Sequence, residues 1–426
     1  MERTTIRRTA KALIPLLMLG YLISFIDRVN AGFAAFQMNP VLGLTASTFG
    51  FASGLYFWTY FLFEVPSNLV LQRVGARRWL ARIMVTWGLI SAATAFVGGP
   101  QSFSINRLLL GAAEAGFFPG VLLYLTYWFP ANYRAAMVSM FYLAVPVSSF
   151  VGSPISAALL GMHGLAGLQG WQWLFILEGV PAVVLGIVYL LVLPDRPADA
   201  RFLSDAQRAW LTTTLAEEQK QVRPVHDHRV FAVLLNPKVL WLALVYAGTS
   251  AATNGLSIWQ PQIIKSFGLT TMQTGLLNSV PFAVACVAML VWGRYSDRPG
   301  KRIASAVWPL ALSVAALTVL VVSKNLWVAV FLLTLTLIGT FSFKGPFWAL
   351  SSETLGVQSA AAGLAMINAV GNLGGFFGTS MIGLLRDRTG SFLFALSPIL
   401  IAEAVGVVIV ILIGQQQRRL ALRVGQ

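Results

Sequence analysis

The chain has 426 residues, of which 57% are hydrophobic and only 11% are charged. A soluble protein carries roughly twice that share of charged residues. A mean hydropathy of +0.73 leaves too little polar surface to cover even one domain in water. These figures exclude a soluble protein and indicate helices that lie in lipid. Since a helix needs about 20 apolar residues to cross a bilayer, the chain is long enough for about twelve crossings with short loops.

The formal net charge is +15, which in a soluble chain would suggest a nucleic-acid partner. We find no basic patch interleaved with aromatic residues, so we expect no nucleic acid to bind. The single cysteine, Cys286, lies in an apolar run and excludes both a disulfide framework and a cysteine metal cluster. The 3 histidines fall in predicted loops. We therefore expect no metal and no cofactor other than a coupling ion.

Apolar stretches bounded by glycine, proline or charge predict twelve transmembrane helices. They fall at residues 12–37, 48–71, 79–98, 104–129, 136–160, 173–193, 238–262, 272–293, 303–323, 325–346, 358–385 and 391–414. The basic segment from Met1 to Lys11 begins like a signal peptide. The apolar stretch after it is too long for one and has no cleavage site, so it is expected to remain as the first span.

The distribution of positive charge predicts the orientation of the chain. Most Lys and Arg residues lie before the first span, in the loops that follow even-numbered spans, or after the last span. The loops on the other side hold only Lys265, Lys324, Arg386 and Arg388. Because positive residues collect on the cytoplasmic side of short loops, both termini are predicted to be cytoplasmic. This asymmetry accounts for the basic net charge without a nucleic acid.

A long polar interruption divides the chain into two sets of six spans. Residues 1–193 are predicted to form the N-terminal half, and residues 238–426 the C-terminal half. Residues 194–237 form a cytoplasmic loop in which Ser204 and Gln207 have the spacing of a capping box, so they open a short amphipathic helix. The basic residues of this loop are expected to contact anionic lipid head groups.

The loops after spans two and eight carry one pattern, which indicates an internal repeat of six spans. The first copy runs from Asn68 to Arg78, and the second from Gly293 to Arg302. The positions that follow the pattern are Arg73, Gly75, Arg77, Arg78, Gly293, Asp297, Arg298 and Arg302.

These paired loops resemble the signature Gly-x-x-x-Asp-Arg-x-Gly-x-Arg-Arg of the major facilitator superfamily. The first copy departs from it with Asn68 in place of Gly and Gln72 in place of Asp. Further segments resemble the anion:cation symporter family, whose members carry sugar acids, tartrate, phthalate and hydroxyphenylacetate in bacteria. These segments are Asp27 to Asn30, Phe63 to Asn68, Arg107 with Glu114 to Gly120, and Asn368 to Gly378.

The resemblance implies an all-α fold of twelve transmembrane helices in two six-helix halves, in a bacterial-type inner membrane. It also implies a monomer that carries a small organic anion together with protons by alternating access, with the loop motif controlling the conformational change. In the family, the positions that match Asp27, Arg28, Arg107 and Glu114 are implicated in proton and substrate binding.

Charged side chains inside the predicted spans point to the same positions. Such a residue costs about 2.5–3.5 kcal/mol at mid-bilayer on insertion scales, so each needs a partner, a cavity or a function. Neighbours on a helix diverge by about 100°, so Asp27 and Arg28 are not expected to pair with each other. Arg107 and Glu114 are two turns apart, about 10.5 Å along the axis, which is too far for a direct bridge. The residues concerned are Asp27, Arg28, Glu64, Arg107, Glu114 and Glu403.

Residue chemistry suggests separate roles for these groups. Guanidinium groups hold carboxylates through paired donors, so Arg28 and Arg107 are expected to bind the substrate. Asp27 and Glu114 are expected to carry protons, because burial and a nearby arginine shift the proton affinity of a carboxyl group in opposite directions. The alternative is that these charges only neutralise one another between helices.

Weaker signals add three candidate substrate contacts. Asn368 and Asn372 share a helix face, although hydrogen bonding between helices explains them equally well. Tyr60 lies in span two, where aromatic residues more often pack or face lipid. The glycines from Gly371 to Gly378 are expected to serve helix packing. The cargo is expected to be a sugar acid or a tartrate-like acid. An aromatic carboxylate and a drug or sugar exporter of the same fold remain open, and we find no nucleophile–base pair that would indicate an enzyme.

Overall fold

A computed structural model of the chain describes residues 1–221, 236–296 and 302–424. Its fourteen longer helices are joined by turns and short 3-10 segments. They are α1 Glu2–Leu42, α2 Ala46–Val74, α3 Ala76–Ala93, α4 Pro100–Glu114, α5 Phe117–Thr126, α6 Ala131–Tyr142, α7 Ala144–Leu160, α8 Gly170–Val192, α9 Asp205–Gln221, α10 Pro237–Lys265, α11 Thr271–Ser296, α12 Arg302–Leu320, α13 Leu326–Thr389 and α14 Ser397–Val424.

Within the described ranges, the helices account for all twelve predicted spans. Ten helical segments are long and apolar enough to cross a membrane, with α4–α5 and α6–α7 each counted as one segment. The other two spans are α2, whose two tyrosines and one tryptophan lower its hydropathy, and the second part of α13. The sequence prediction of an all-α membrane protein with twelve spans is confirmed.

Helix α13 contains two spans. It is 64 residues long, so it would extend for about 96 Å if straight, about three times the thickness of a bilayer core. Residues on both sides of its middle instead pack side by side against Tyr246 of α10. The rings of Tyr246 and Phe347 lie 5.6 Å apart, and a Cβ atom on Gly371 would lie 2.0 Å from the same tyrosine. The helix therefore folds back between these two contacts.

Span four is interrupted where the sequence predicted one helix over residues 104–129. Helix α4 ends at Glu114, and α5 begins at Phe117. Between them Gly116 has a φ of 89°, in the left-handed region that favours glycine. A Cβ atom there would also lie 2.2 Å from Ser67 Oγ of α2. The break places the Glu114 side chain at the end of a helix in the membrane interior.

Among the described residues, three helix pairs make the most extensive contacts between the two sets of spans. Helix α1 approaches α10 so closely that a Cβ atom on Gly32 would lie 2.3 Å from the Ile258 carbonyl oxygen. Helix α7 meets α11, where Asn278 Nδ2 donates to Ser153 Oγ at 2.8 Å. Helix α2 packs against the second part of α13. We call the membrane face that carries both chain ends the terminal face, and the face with turns 43–45 and 390–396 the opposite face.

Helix α9 lies in the segment between the two sets of spans. Its first turn has reciprocal hydrogen bonds, in which Gln207 N donates to Ser204 Oγ and Ser204 N donates to Gln207 Oε1. Leu211 and Leu215 are buried, and Glu218 forms an ion pair with Arg134 at 3.0 Å. These contacts hold the helix against the first six spans.

Candidate functional site

A narrow cavity lies between the two sets of spans, beside the charged residues that the sequence singled out. The space that the centre of a water molecule can occupy is about 20 Å³, enough for about one water molecule. Charged residues of the first set of spans face polar residues of α10 across it. It is lined by Asp27, Arg28, Ala31, Ser53, Tyr56, Phe57, Arg107, Leu110, Glu114, Asn254, Ser257 and Ile258.

Arg28 forms an ion pair with Glu114. Its Nη2 atom lies 2.8 Å from Glu114 Oε1, which also accepts a hydrogen bond from Ser24 Oγ. The Arg28 side chain remains 19% exposed, whereas that of Glu114 is 2% exposed. The guanidinium carbon lies 5.2 Å from the Tyr56 ring centre and 5.6 Å from that of Tyr60, within the range of cation–π attraction. Tyr60, a predicted substrate contact, therefore lies beside the predicted anion-binding arginine.

Asp27 faces away from Arg28 and is held by three donors of the same half. Asn30 Nδ2 donates to Asp27 Oδ1 at 2.8 Å, Trp87 Nε1 donates to Asp27 Oδ2 at 2.7 Å, and Ser91 Oγ also donates to Oδ1. Asp27 is 2% exposed. Three donors suit an ionised carboxylate, because each of its oxygens accepts more than one hydrogen bond.

Arg107 is buried without a carboxylate partner among the described residues. It is 4% exposed, so its charge does not reach the membrane surface. Its Nη2 atom donates to Thr94 Oγ1 at 3.3 Å, and its guanidinium carbon lies 5.0 Å from the Phe103 ring centre and 5.5 Å from that of Phe175. As the sequence spacing indicated, it forms no bridge to Glu114. A hydroxyl and two rings leave most of its five donors available to an anion.

Asn368 and Asn372 bind a protein carboxylate across the two halves. Their Nδ2 atoms donate to Glu64 Oε1 at 3.0 Å and to Glu64 Oε2 at 3.2 Å. Neither asparagine is among the residues that line the cavity. In this conformation they join α2 to α13, as the interhelical alternative anticipated.

The sequence analysis missed several polar residues in this region. Lys344 of α13 is 7% exposed and donates to Tyr142 Oη of α6 at 2.9 Å. Asn254 and Ser257 of α10 line the cavity. A signal for the latter pair was available: Ser250, Asn254 and Ser257 recur at helical spacing, which marks a polar face on an otherwise apolar span.

Two other buried acids have neutral donors. Glu178 of α8 accepts from Ser156 Oγ at 2.7 Å. Glu403 of α14 accepts from Ser313 Oγ and Thr340 Oγ1. Neither lines the cavity.

The first copy of the loop motif is completed by an acid from another helix end. Gly75 has a φ of 97°, and Arg77 N donates to Asp195 Oδ1 at 2.9 Å. Asp195 thus supplies a carboxylate to this loop, in which the sequence has Gln72 in place of the acid. Arg73 lies in the last turn of α2, and Arg78 lies in the first turn of α3.

The second copy is described only in part. Gly293 lies in α11, and Arg302 Nε donates to Glu353 Oε1 at 2.8 Å. Asp297 and Arg298 lie outside the described residues.

Chemically, this arrangement suits the reversible binding of an anion. Arg28 is half of an ion pair with some exposure, and Arg107 holds a buried positive charge that a carboxylate would neutralise. An incoming carboxylate would compete with Glu114 for the Arg28 guanidinium group.

Comparison with known proteins agrees with this description. Residues 17–379 match the family described as Major Facilitator Superfamily. A putative tartrate transporter of Agrobacterium vitis is 49% identical over 92% of this chain and 87% of its own. A quinolone resistance transporter of Acinetobacter baumannii is 40% identical over 92% and 90%.

The fold also resembles a solved structure. The crystal structure of a D-xylose–proton symporter superposes with a TM-score of 0.73, covering 94% of this chain and 96% of that one at 18% identity. These matches agree with the sequence interpretation that the protein is a transporter and not an enzyme. The chain is a multi-pass membrane transporter of small organic substrates and belongs to the Major Facilitator Superfamily.

Proposed function

We propose that this chain imports a small organic carboxylate, a sugar acid or tartrate-like hydroxy acid, together with protons. It acts as a monomer in a bacterial inner membrane, with both termini in the cytoplasm, and alternates access between its two halves. The observation that carries the proposal is the Arg28–Glu114 ion pair, 2.8 Å long, in the wall of a cavity that both halves line.

In this proposal, an exchange of partners at Arg28 couples substrate binding to proton uptake. The substrate carboxylate replaces Glu114 at the guanidinium group, and Glu114 takes up a proton because a lone buried carboxylate is unfavourable. When the proton leaves toward the cytoplasm, Glu114 becomes charged again, recaptures Arg28 and displaces the substrate. Arg107 provides the second positive charge, and Asp27, on the same cavity, is the second proton site.

The negative charge of the substrate favours transport together with a cation. Bringing one negative charge into an inside-negative cell costs about 2.3 kcal/mol per 100 mV. Each proton that enters with the substrate cancels one such charge. Single carboxyl groups beside arginines suit protons better than they suit a sodium ion, which requires a cage of oxygen ligands.

The size of the cavity supports alternating access. About 20 Å³ accommodates roughly one water molecule and no organic acid, so the substrate enters only when the halves separate. The name of the relative that is 49% identical supports a tartrate-like cargo.

The test is uptake of radiolabelled L-tartrate and of sugar acids by the purified chain in proteoliposomes. An acidic exterior should drive accumulation above equilibrium, and a protonophore should abolish it. Accumulation that follows a sodium gradient and ignores the pH gradient would rule out proton coupling.

Drug export is the second candidate, because a 40% identical relative is named a quinolone resistance transporter. Under this alternative, cells that express the chain should tolerate more quinolone and accumulate less of it, and tartrate should not compete. An aromatic carboxylate as cargo would appear in the uptake assay as competition by phthalate or hydroxyphenylacetate.

A further inference from the structure

Lys344 carries a buried positive charge at the contact between the two halves. It lies in the first span of α13, is 7% exposed, and donates a hydrogen bond to Tyr142 Oη of α6 at 2.9 Å. Its Nζ atom also lies 5.3 Å from the Phe341 ring centre and 5.5 Å from that of Tyr142. Within the described part of the chain, no carboxylate forms an ion pair with it.

This environment is incomplete for an ammonium group. Lysine has three N–H donors and no acceptor, and a neutral phenol occupies only one of the three. A buried charge normally has a counter-ion, because desolvation is otherwise uncompensated. Two aromatic rings lessen that cost without removing it. A bound anion would supply the counter-ion.

Aromatic rings connect Arg28 to Tyr142, the hydrogen-bond partner of Lys344. The Arg28 guanidinium carbon lies 4.6 Å from the Phe25 ring centre, and ring contacts of 5.0 Å, 5.4 Å and 6.3 Å lead from Phe25 through Tyr21 and Phe118 to Tyr142. The two cations belong to different halves, with Arg28 on α1 and Lys344 on α13. An anion with one carboxylate would neutralise one of the two cations and leave the other unpaired. An anion with a carboxylate at each end would neutralise both.

We propose that Lys344 binds the second carboxylate of a dicarboxylate substrate whose first carboxylate is held by Arg28. The inference rests on the proposed function and narrows it to a dicarboxylic acid. The substrate joins the two halves through opposite charges. Tyr142 positions the ammonium group before the substrate arrives.

A matched pair of ligands tests this assignment. L-Tartrate and L-threonate have the same four-carbon chain, but threonate has a hydroxymethyl group in place of one carboxylate. Each compound is tested as an inhibitor of radiolabelled L-tartrate uptake in proteoliposomes that contain the full chain. The wild type should bind tartrate at least tenfold more tightly than threonate.

Variants at Lys344 separate charge recognition from folding. Lys344→Gln should lose at least tenfold in tartrate affinity and less than threefold in threonate affinity, so that the preference disappears. Lys344→Arg should retain part of it. Lys265→Gln, which removes a cation that instead contacts Thr271 near the opposite face, should retain all of it. Threonate binding by Lys344→Gln also shows that the variant is folded.

Other outcomes would overturn the inference. If Lys344→Gln lost affinity for tartrate and threonate equally, Lys344 would have a structural role. If the variant kept the preference for tartrate over threonate, the second carboxylate would bind elsewhere. If Lys344→Gln does not fold, the same two ligands are compared in Lys344→Arg and Tyr142→Phe. An unchanged preference for tartrate over threonate in both variants contradicts the assignment. A wild type that accumulates monocarboxylates with protons and ignores dicarboxylates would refute the inference but leave the proposed function intact. A wild type that transports no organic acid would refute both.

Discussion

Arg28 pairs with Glu114, 86 positions along the chain, and not with its neighbour Asp27. The pair joins α1 to the broken end of α4, in a wall of the cavity between the halves. In the proposed mechanism, this ion pair competes with the substrate for Arg28. An incoming carboxylate and a proton would together open it.

Replacing Glu114 with Gln should uncouple transport from the proton gradient. Glutamine has nearly the same shape and does not titrate, so the halves should still exchange substrate. We expect Glu114→Gln to lose accumulation driven by an acidic exterior and to retain counterflow of labelled for unlabelled substrate. Normal accumulation in this variant would refute the role of Glu114.

Replacing Arg28 with Ala should remove substrate binding. Removing one partner of a buried charge pair costs about 2–5 kcal/mol, which corresponds to an affinity loss of at least about thirtyfold. Thermal stabilisation by substrate measures this loss without transport. Arg82→Ala is a suitable control, since Arg82 stacks on Trp79, outside the cavity. Equal loss of stabilisation in both variants would contradict the assignment.

Asp27→Asn should reduce both coupling and stability. The new amide has one acceptor oxygen where three donors now converge, from Asn30, Trp87 and Ser91. An unsatisfied buried donor costs about 1–3 kcal/mol, so the unfolding temperature should fall by several degrees. If Asp27 is the second proton site, pH-driven accumulation should also disappear while exchange persists. Ser91→Ala, which removes one donor and keeps the acid, should be destabilised less and should still accumulate substrate.

The spans and the charged candidate residues could be predicted from the sequence because the lipid interior restricts which side chains a span can carry. Every span must be apolar, and each charge inside one is conspicuous. Helical geometry also excluded a direct Arg107–Glu114 bridge. The partner of Arg28 could not be predicted, since it depends on how α1 is rotated about its axis and on the break at Gly116.

The same limit applies to Asn368 and Asn372. Their spacing of four predicts a shared helix face, and they do share one. It does not predict which neighbouring helix that face meets, and the neighbour provides Glu64. Lys344 was missed because it falls at the end of a predicted span, where a long side chain ordinarily reaches the membrane surface. Here its ammonium group instead turns toward Tyr142.

Asp387 closes the opposite face by capping a helix of the other half. Its oxygens accept hydrogen bonds from Ala46 N at 3.2 Å and Ser47 N at 2.7 Å, in the first turn of α2. Losing a helix cap of this kind costs about 0.5–2 kcal/mol. Asp387→Ala should therefore favour opening at this face. The measurement is the rate at which an impermeant maleimide labels Ser53→Cys in a Cys286→Ala background, and this rate should rise severalfold.

The pH dependence of transport should not originate at Asp387, which lies beyond the predicted end of span eleven. Burial raises its pKa, but hydrogen bonds from Ser47 and Ala46 outweigh this effect and lower the pKa below the usual value. A lowered pKa means that the contact is present at higher pH and is lost only as the pH falls below about 4. Asp387→Asn should thus leave the shape of the uptake profile between pH 5 and 8 unchanged. A shifted profile would contradict this interpretation.

Substitutions at two adjacent glycines of α13 should have different effects, one on folding and the other on conformational change. A Cβ atom on Gly374 would lie 2.1 Å from the Ala247 carbonyl oxygen of α10, in the same half, where only a shift of backbone relieves the clash. A Cβ atom on Gly375 would lie 2.7 Å from the Phe57 ring of the other half, which a side-chain movement relieves.

Gly374→Ala should therefore lower the unfolding temperature, by an amount typical of overpacking, about 1–3 kcal/mol. Gly375→Ala should fold with nearly wild-type stability and loosen the contact between the halves, because Phe57 must withdraw when they close. Maleimide labelling of Ser53→Cys should then accelerate in Gly375→Ala and remain slow in folded Gly374→Ala. The reverse pattern would show that Gly374 faces the moving interface, which is incompatible with α10 and α13 belonging to one rigid half.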